Sequence, residues 1–117
     1  MQAASALQLT NDNFEQEVTK FPGVVLIDFW AVWCGPCRMM TAPIEALAQK
    51  YKDSDQVKIA QLNIDDQQEA AEPFQVHSIP TFIIMANGEQ VGMTFGVQAG
   101  QKLDDMIKKA LEELPKA

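Results

Sequence analysis

The sequence predicts an α/β sandwich, a mixed sheet covered by helices on both faces. Three observations carry that prediction. The run VVLIDFW (24–30) is β-branched and aromatic with little alternation, the pattern of a central strand buried on both sides. TFIIMANGEQVGMTF (81–95) reads as two apolar strands around Asn87-Gly88, a strong hairpin signal. The rest of the chain reads as alternating strands and helices, so strands linked by helices are followed by a hairpin and a last helix.

Taken in order, ALQL (6–9) is a short apolar start, and Thr10 or Asn11 is placed to cap a helix through DNFEQEVTK (12–20). Pro22-Gly23 marks a turn into the central strand. From Cys34 onward Met39, Met40, Ile44, Leu47 and Tyr51 recur at helical spacing, and Pro43 inside that helix predicts a kink. QVKIAQLNI (56–64) is the next strand, with Val57, Ile59 and Gln61 alternating against Lys58, Ala60 and Leu62. DDQQEAAEPF (65–74) reads as a short helix that starts at the acidic pair Asp65-Asp66 and ends near Pro73. The last helix is the clearest: Leu103, Met106, Ile107, Ala110, Leu111 and Leu114 form one apolar stripe.

No repeat, low-complexity tract or linker divides the 117 residues, so one domain is expected over 1–117, large enough to bury a core without staples. Sixteen acidic residues against nine basic give a net charge of −7, which argues against nucleic acid or anionic membrane as a partner. No apolar run approaches a membrane span, and the N-terminal stretch lacks the basic and apolar regions of a signal peptide. Two cysteines three residues apart make a poor secreted framework, so a reducing, cytoplasmic setting is expected. A monomer is expected as well. The six methionines read as packing fillers, and Trp30 as a core residue behind the cysteines.

Cys34 and Cys37, at i and i+3 on a helix's first turn, should have Cα atoms about 5 Å apart, within disulfide range. Cys34 at the helix start lies where unpaired N–H groups favour an anion, and the thiolate is the nucleophile. Pro36 suits the first turn, and Gly35 leaves the sulfur unobstructed on one side. An inert buried pair fits poorly with the surface position expected of this strand-to-helix loop. A zinc site needs four ligands, and the chain adds only His77 to its two cysteines. A static disulfide closing so short a loop stabilises little. A redox pair is the better reading.

Asp28, a carboxylate inside an apolar strand six residues before Cys34, is costly to ionise when buried. Its pKa should rise toward neutrality, where it can exchange protons at working pH. An Asp held by backbone donors at a strand end is the plainer alternative.

The segment DFWAVWCGPCRMM, SIPT at 78–81, LNID at 62–65, NGE at 87–89 and Gly96 together resemble the thioredoxin family over essentially the whole chain. The resemblance implies a central mixed five-stranded sheet flanked by four α-helices. It implies that Cys34 attacks a substrate disulfide, that Cys37 resolves the mixed disulfide, and that Asp28 accepts the Cys37 proton. Pro80 would be cis, and Trp33, Gly35, Pro36, Ile79, Gly96 and Val97 would complete the surface that meets the substrate. It further implies a general protein-disulfide reductase with no bound cofactor. Thioredoxin reductase, drawing on NADPH through FAD, would recharge it, and oxidised proteins would be its other partners.

The chain also departs from that family. Gln61 stands where many members carry a buried lysine, so Asp28 should have a higher pKa here than beside a lysine, with Gln61→Lys as the comparison. Val32 replaces a frequent acidic residue, Pro43 lies one residue later than usual, and Gln75 replaces a common glycine. His77 reads as an exposed loop residue. Two rival functions are a redox-independent docking module using Trp33, Ile79 and Val97, and an oxidase or isomerase, which the Gly-Pro between the cysteines disfavours.

Overall fold

The computed structural model describes residues 2–115; the ends of the domain expected over 1–117 lie outside the described residues. Five strands form one mixed sheet: β1 (Leu7–Gln8), β2 (Val24–Trp30), β3 (Val57–Asn63), β4 (Thr81–Ala86) and β5 (Glu89–Phe95). Their spatial order is β1-β3-β2-β4-β5, with β1, β3 and β2 parallel and β4 and β5 antiparallel to their neighbours. β2 sits in the middle with all seven residues buried, as its unbroken apolar run predicts.

Strand geometry sends alternate side chains to opposite faces, and the core divides accordingly. Val24, Leu26, Val57, Ile59, Phe82 and Ile84 pack under one helical layer with Met40, Ile44, Leu103 and Ile107. Val25, Ile27, Phe29, Ala60, Leu62 and Ile83 pack under the other, with Leu9, Val18, Ala70 and Ala71. β3 is thus covered on both faces rather than alternating inside and out. Its Lys58 is only part-buried, reaching the Glu17 carbonyl at 2.9 Å and lying 4.0 Å above the Phe21 ring.

The helices are α1 (Gly35–Met39), α2 (Thr41–Lys50), α3 (Gln68–Ala71) and α4 (Gly100–Glu113), plus a π-helical turn, Glu15–Thr19. The resemblance implied four; among the described residues there are five, counting the 3-10 turn below with the helix it continues, because the cysteine helix breaks at Met40. Pro43 has no N–H to offer the Met39 carbonyl, so the ladder fails one turn before it. Of the residues read as that helix's apolar series, Met40 is fully buried, whereas Met39 projects into solvent at 66 % exposure.

The first helix is shorter than expected. Thr10 and Asn13 bond reciprocally, Asn13 N–H to Thr10 Oγ1 at 3.0 Å and Thr10 N–H to Asn13 Oδ1 at 2.7 Å, which holds residues 10–13 as a turn. Only Glu15–Thr19 winds further, with the Lys20 N–H reaching back to the Glu15 carbonyl. Asn11 caps elsewhere, accepting from the Ala70 N–H at 2.9 Å. The third helix begins at Gln68 rather than at Asp65: Asn63 Oδ1 takes the N–H groups of Asp65 and Asp66 in a separate turn, and Gln67 leaves helical backbone (φ −121°, ψ 55°) before the helix starts. It continues as a 3-10 turn, Glu72–Phe74, that contains Pro73.

The β4–β5 hairpin turns at Asn87 (φ 52°) and Gly88 (φ 78°), the two positive φ values of a tight primed turn. Gly88 is required twice over, since a Cβ there would lie 2.4 Å from the Thr19 carbonyl oxygen. On α4, Leu103, Ile107 and Ala110 face the core, and burying Leu103 and Ile107 contributes about 2 kcal/mol each. Asp104 is buried as well, which the apolar stripe does not foretell. It accepts from Tyr51 and Lys50 and pairs with Lys108, tying α4 to the end of α2.

Candidate functional site

The C-terminal end of β2 delivers the chain to the cysteine helix. Cys34 is its N-cap, with extended backbone (φ −88°, ψ 108°), and Pro36 occupies the first turn, where no N–H is needed. Cys34 and Cys37 are joined by a disulfide with their Cα atoms 5.3 Å apart, the separation that i, i+3 spacing implies. The Cys37 N–H points at Cys34 Sγ from 3.2 Å.

The sulfurs are less open than a surface loop suggests. Cys34 is only 4 % exposed and Cys37 3 %, clustered with Trp30 and Ala31 and with Ile79 packed against them. The rim around them is open. Trp33, Gly35 and Pro36 are exposed, and the side of Gly35 where a Cβ would stand is empty space.

Across from the cysteines lies the loop entering β4. Its Ile79-Pro80 peptide is cis, and the Ile79 carbonyl oxygen lies 3.7 Å from Cys34 Sγ. Ile79 is half-buried and Pro80 buried. The Gly96 N–H donates to the Pro80 carbonyl at 2.8 Å, which fastens the end of β5 to this loop. Gly96 does so at φ 81°, a backbone conformation that suits glycine, and leaves Val97 exposed beside it. The candidate residues Trp33, Gly35, Pro36, Ile79, Pro80, Gly96 and Val97 therefore lie on three chain segments around one pair of sulfurs.

Asp65 belongs to this rim, although the sequence marks it only as a helix start. Its Oδ2 accepts from the Trp33 indole N–H at 2.8 Å. Asn63 fixes the turn that carries it, so the end of β3 orients the exposed indole. His77 is exposed, as expected. Gln75 holds a left-handed conformation (φ 47°, ψ 53°), the backbone reason that glycine is the comfortable residue there.

Asp28 lies in the middle of the sheet, opposite Gln61 on β3 and Phe82 on β4. Its parity with Val24 and Leu26 puts it on the face covered by the cysteine helix, toward the end of β2 that leads to Cys34. It is 2 % exposed. Burial pushes its pKa up from 3.8 to about 6, against a smaller lowering by the Gln61 amide, which donates to Oδ2 at 3.0 Å. Oδ1 has no hydrogen-bond partner among the described residues. The backbone-satisfied alternative is not what is seen: the carboxylate's hydrogen bond comes from a side chain. Trp30, buried beside the cysteines, likewise leaves its indole N–H without a partner among the described residues.

No group of three or more His, Cys, Asp or Glu among the described residues is placed to hold a metal ion, and no helix is long and apolar enough to cross a membrane.

A family model described as Thioredoxin matches residues 5–109. The chain is 39 % identical over 106 residues to "Thioredoxin 1" of Synechococcus elongatus, covering 91 % of this chain and 97 % of that one. It is 38 % identical over 105 residues to "Thioredoxin" of Porphyra purpurea, covering 90 % and 96 %. A solved structure of a mutant thioredoxin from Halobacterium salinarum NRC-1 superposes with a TM-score of 0.79 at 33 % identity, over 98 % of both chains.

Proposed function

The chain belongs to the thioredoxin family and is a thiol–disulfide oxidoreductase, and from that premise we propose that it is a general protein-disulfide reductase. The observation that carries the reading is the cysteine pair at bridging distance, with Cys34 set against the Ile79-Pro80 loop under an exposed rim.

In the proposed cycle the dithiol form begins with Cys34 as thiolate. It attacks one sulfur of a target disulfide, a Cys34–target bond forms, and the target's S–S bond breaks. The first target thiolate leaves and takes a proton from water. Asp28, ionised, then takes the proton of the Cys37 thiol. The Cys37 thiolate attacks Cys34 Sγ, the mixed disulfide breaks, and the second target thiolate departs. Two electrons pass to the target, and the protein is left as the Cys34–Cys37 disulfide. The Cys37 N–H, 3.2 Å from Cys34 Sγ, is in position to stabilise charge on that sulfur in the first step. A carboxyl with its pKa near 6 exchanges protons readily near neutral pH, which supports the role given to Asp28.

Trp33, Gly35, Pro36, Ile79, Pro80, Gly96 and Val97 form the surface for the target segment, small or apolar throughout. An NADPH-dependent flavoprotein, thioredoxin reductase, returns the disulfide to the dithiol, so NADPH and FAD act only through that partner. The reading includes one domain over 1–117, a monomer, a cytoplasmic setting, and neither nucleic acid nor membrane as a partner, consistent with the net charge of −7.

Insulin reduction driven by NADPH and thioredoxin reductase tests this. Turnover is expected for the parent and none for Cys34→Ser; a folded parent that reduces no insulin under these conditions overturns the reading.

A further inference from the structure

We infer that the proton taken up by Asp28 resides on Oδ1, and that Gln61, clamped by the Ala3 backbone N–H and the Gln8 side chain, is the positioning residue that imposes this choice. The inference rests on the reading of Asp28 as the group that exchanges protons with the cysteine pair. It adds which oxygen does so and what selects it.

The geometry starts at the N-terminal segment. The Ala3 N–H lies 2.7 Å from Gln61 Oε1, and a backbone N–H can only donate, so the atom facing it must be the amide oxygen. Gln8 Nε2 donates to the same oxygen at 3.0 Å from β1, whose register sets Gln8 directly beside Gln61. Ala3 and Gln61 are 2 % and 1 % exposed, so these bonds are shielded from competing water. Turning the amide over would set its NH₂ against two donors in a buried site. The NH₂ end therefore faces Asp28, 3.0 Å from Oδ2.

An NH₂ group offers hydrogens and no lone pair. Oδ2 can accept from it in either protonation state, but a proton on Oδ2 would compete with the amide hydrogens. The neutral acid consequently carries its proton on Oδ1, the buried oxygen with no partner among the described residues. In the relay the Cys37 S–H bond breaks and an Oδ1–H bond forms, while Oδ2 stays bonded to Gln61 and disperses the charge of the ionised form.

The charged and titratable groups around Asp28 do not supply this selection. Its neighbours across the sheet are Gln61 and Phe82, neither of which titrates. The cysteines of the covering helix are joined in the disulfide. Lys50, Tyr51, Asp104 and Lys108 on α2 and α4 are bound to one another.

Infrared difference spectra of the oxidised protein across the Asp28 titration isolate the carbonyl stretch of the neutral acid, assigned by its absence in Asp28→Asn. With the proton on Oδ1 the carbonyl is Oδ2, and its band in the parent lies at the low wavenumber of a hydrogen-bonded acid. Gln61→Leu should move the band to higher wavenumber and the midpoint upward by about one unit. Gln61→Lys, which restores a donor, should return the band to low wavenumber. Gln8→Ala, at a part-buried position, should move the band in the same direction as Gln61→Leu by less, and serves if Gln61→Leu does not fold. A parent band already at the unbonded position, and unmoved in folded Gln61→Leu (or Gln8→Ala in its place), overturns the inference. No turnover is measured, so this outcome is separate from that of insulin reduction.

Discussion

Replacing Asp28 with asparagine should stabilise the protein at neutral pH although it alters the centre of the core. The folded-state pKa of Asp28 is about 6, against 3.8 for the ordinary carboxyl. Below the lower value both states are protonated and the residue contributes nothing to the pH dependence. As pH rises between the two values, the unfolded chain releases the proton before the folded one, so stability falls. Above about pH 6 the loss is complete and amounts to about 3 kcal/mol, at 1.36 kcal/mol per unit. The substituted amide would keep an oxygen for the Gln61 side chain but present an NH₂ where Oδ1 now lacks a partner, a cost of about 1 kcal/mol at every pH. The variant should therefore be slightly less stable than the parent near pH 4 and about 2 kcal/mol more stable near pH 8. Urea unfolding of both oxidised proteins across this range measures the difference, and the other carboxylates cancel because both proteins carry them. A stability difference that does not change with pH would refute the reasoning that burial raises this carboxyl.

The rim and the backbone supply further expectations. Asp65→Ala removes the acceptor that orients the Trp33 indole. It should lower kcat/KM for insulin about fivefold, as expected for one lost hydrogen bond, while leaving the urea midpoint nearly unchanged. Gln75→Gly relieves a left-handed backbone at an exposed position and should raise stability by about 1 kcal/mol in the same urea assay; an unchanged or lower stability would show that the conformation costs nothing there.

The parts of this protein that were legible in its sequence are those written locally. The unbroken apolar run of β2, the Asn87-Gly88 turn, the stripe of α4 and the CxxC spacing each involve neighbouring residues, and each was found where expected. The kink was legible too, since a missing N–H acts on the carbonyl four residues earlier. What was not legible depends on contacts between distant residues. Trp33 and Asp65 are 32 positions apart, and Ala3 and Gln61 are 58 apart, so neither bond leaves a trace in spacing or periodicity. The sulfurs are more enclosed than the loop position implied because Ile79 arrives from the distant loop that enters β4. Met39 could not be told from Met40 by pattern alone, since the break at Met40 decides which of them turns inward. Asp104 was hidden for a similar reason: its partners Lys50 and Tyr51 come from a different helix.

The division of labour between the two cysteines is the central claim, and trapping the mixed disulfide tests it most directly. Incubated with an oxidised protein substrate, reduced Cys37→Ser should accumulate a covalent adduct at Cys34, read by intact mass and peptide mapping, while Cys34→Ser should accumulate almost none. Adducts forming equally well at Cys37 in Cys34→Ser, or at neither cysteine in folded proteins, would contradict the account.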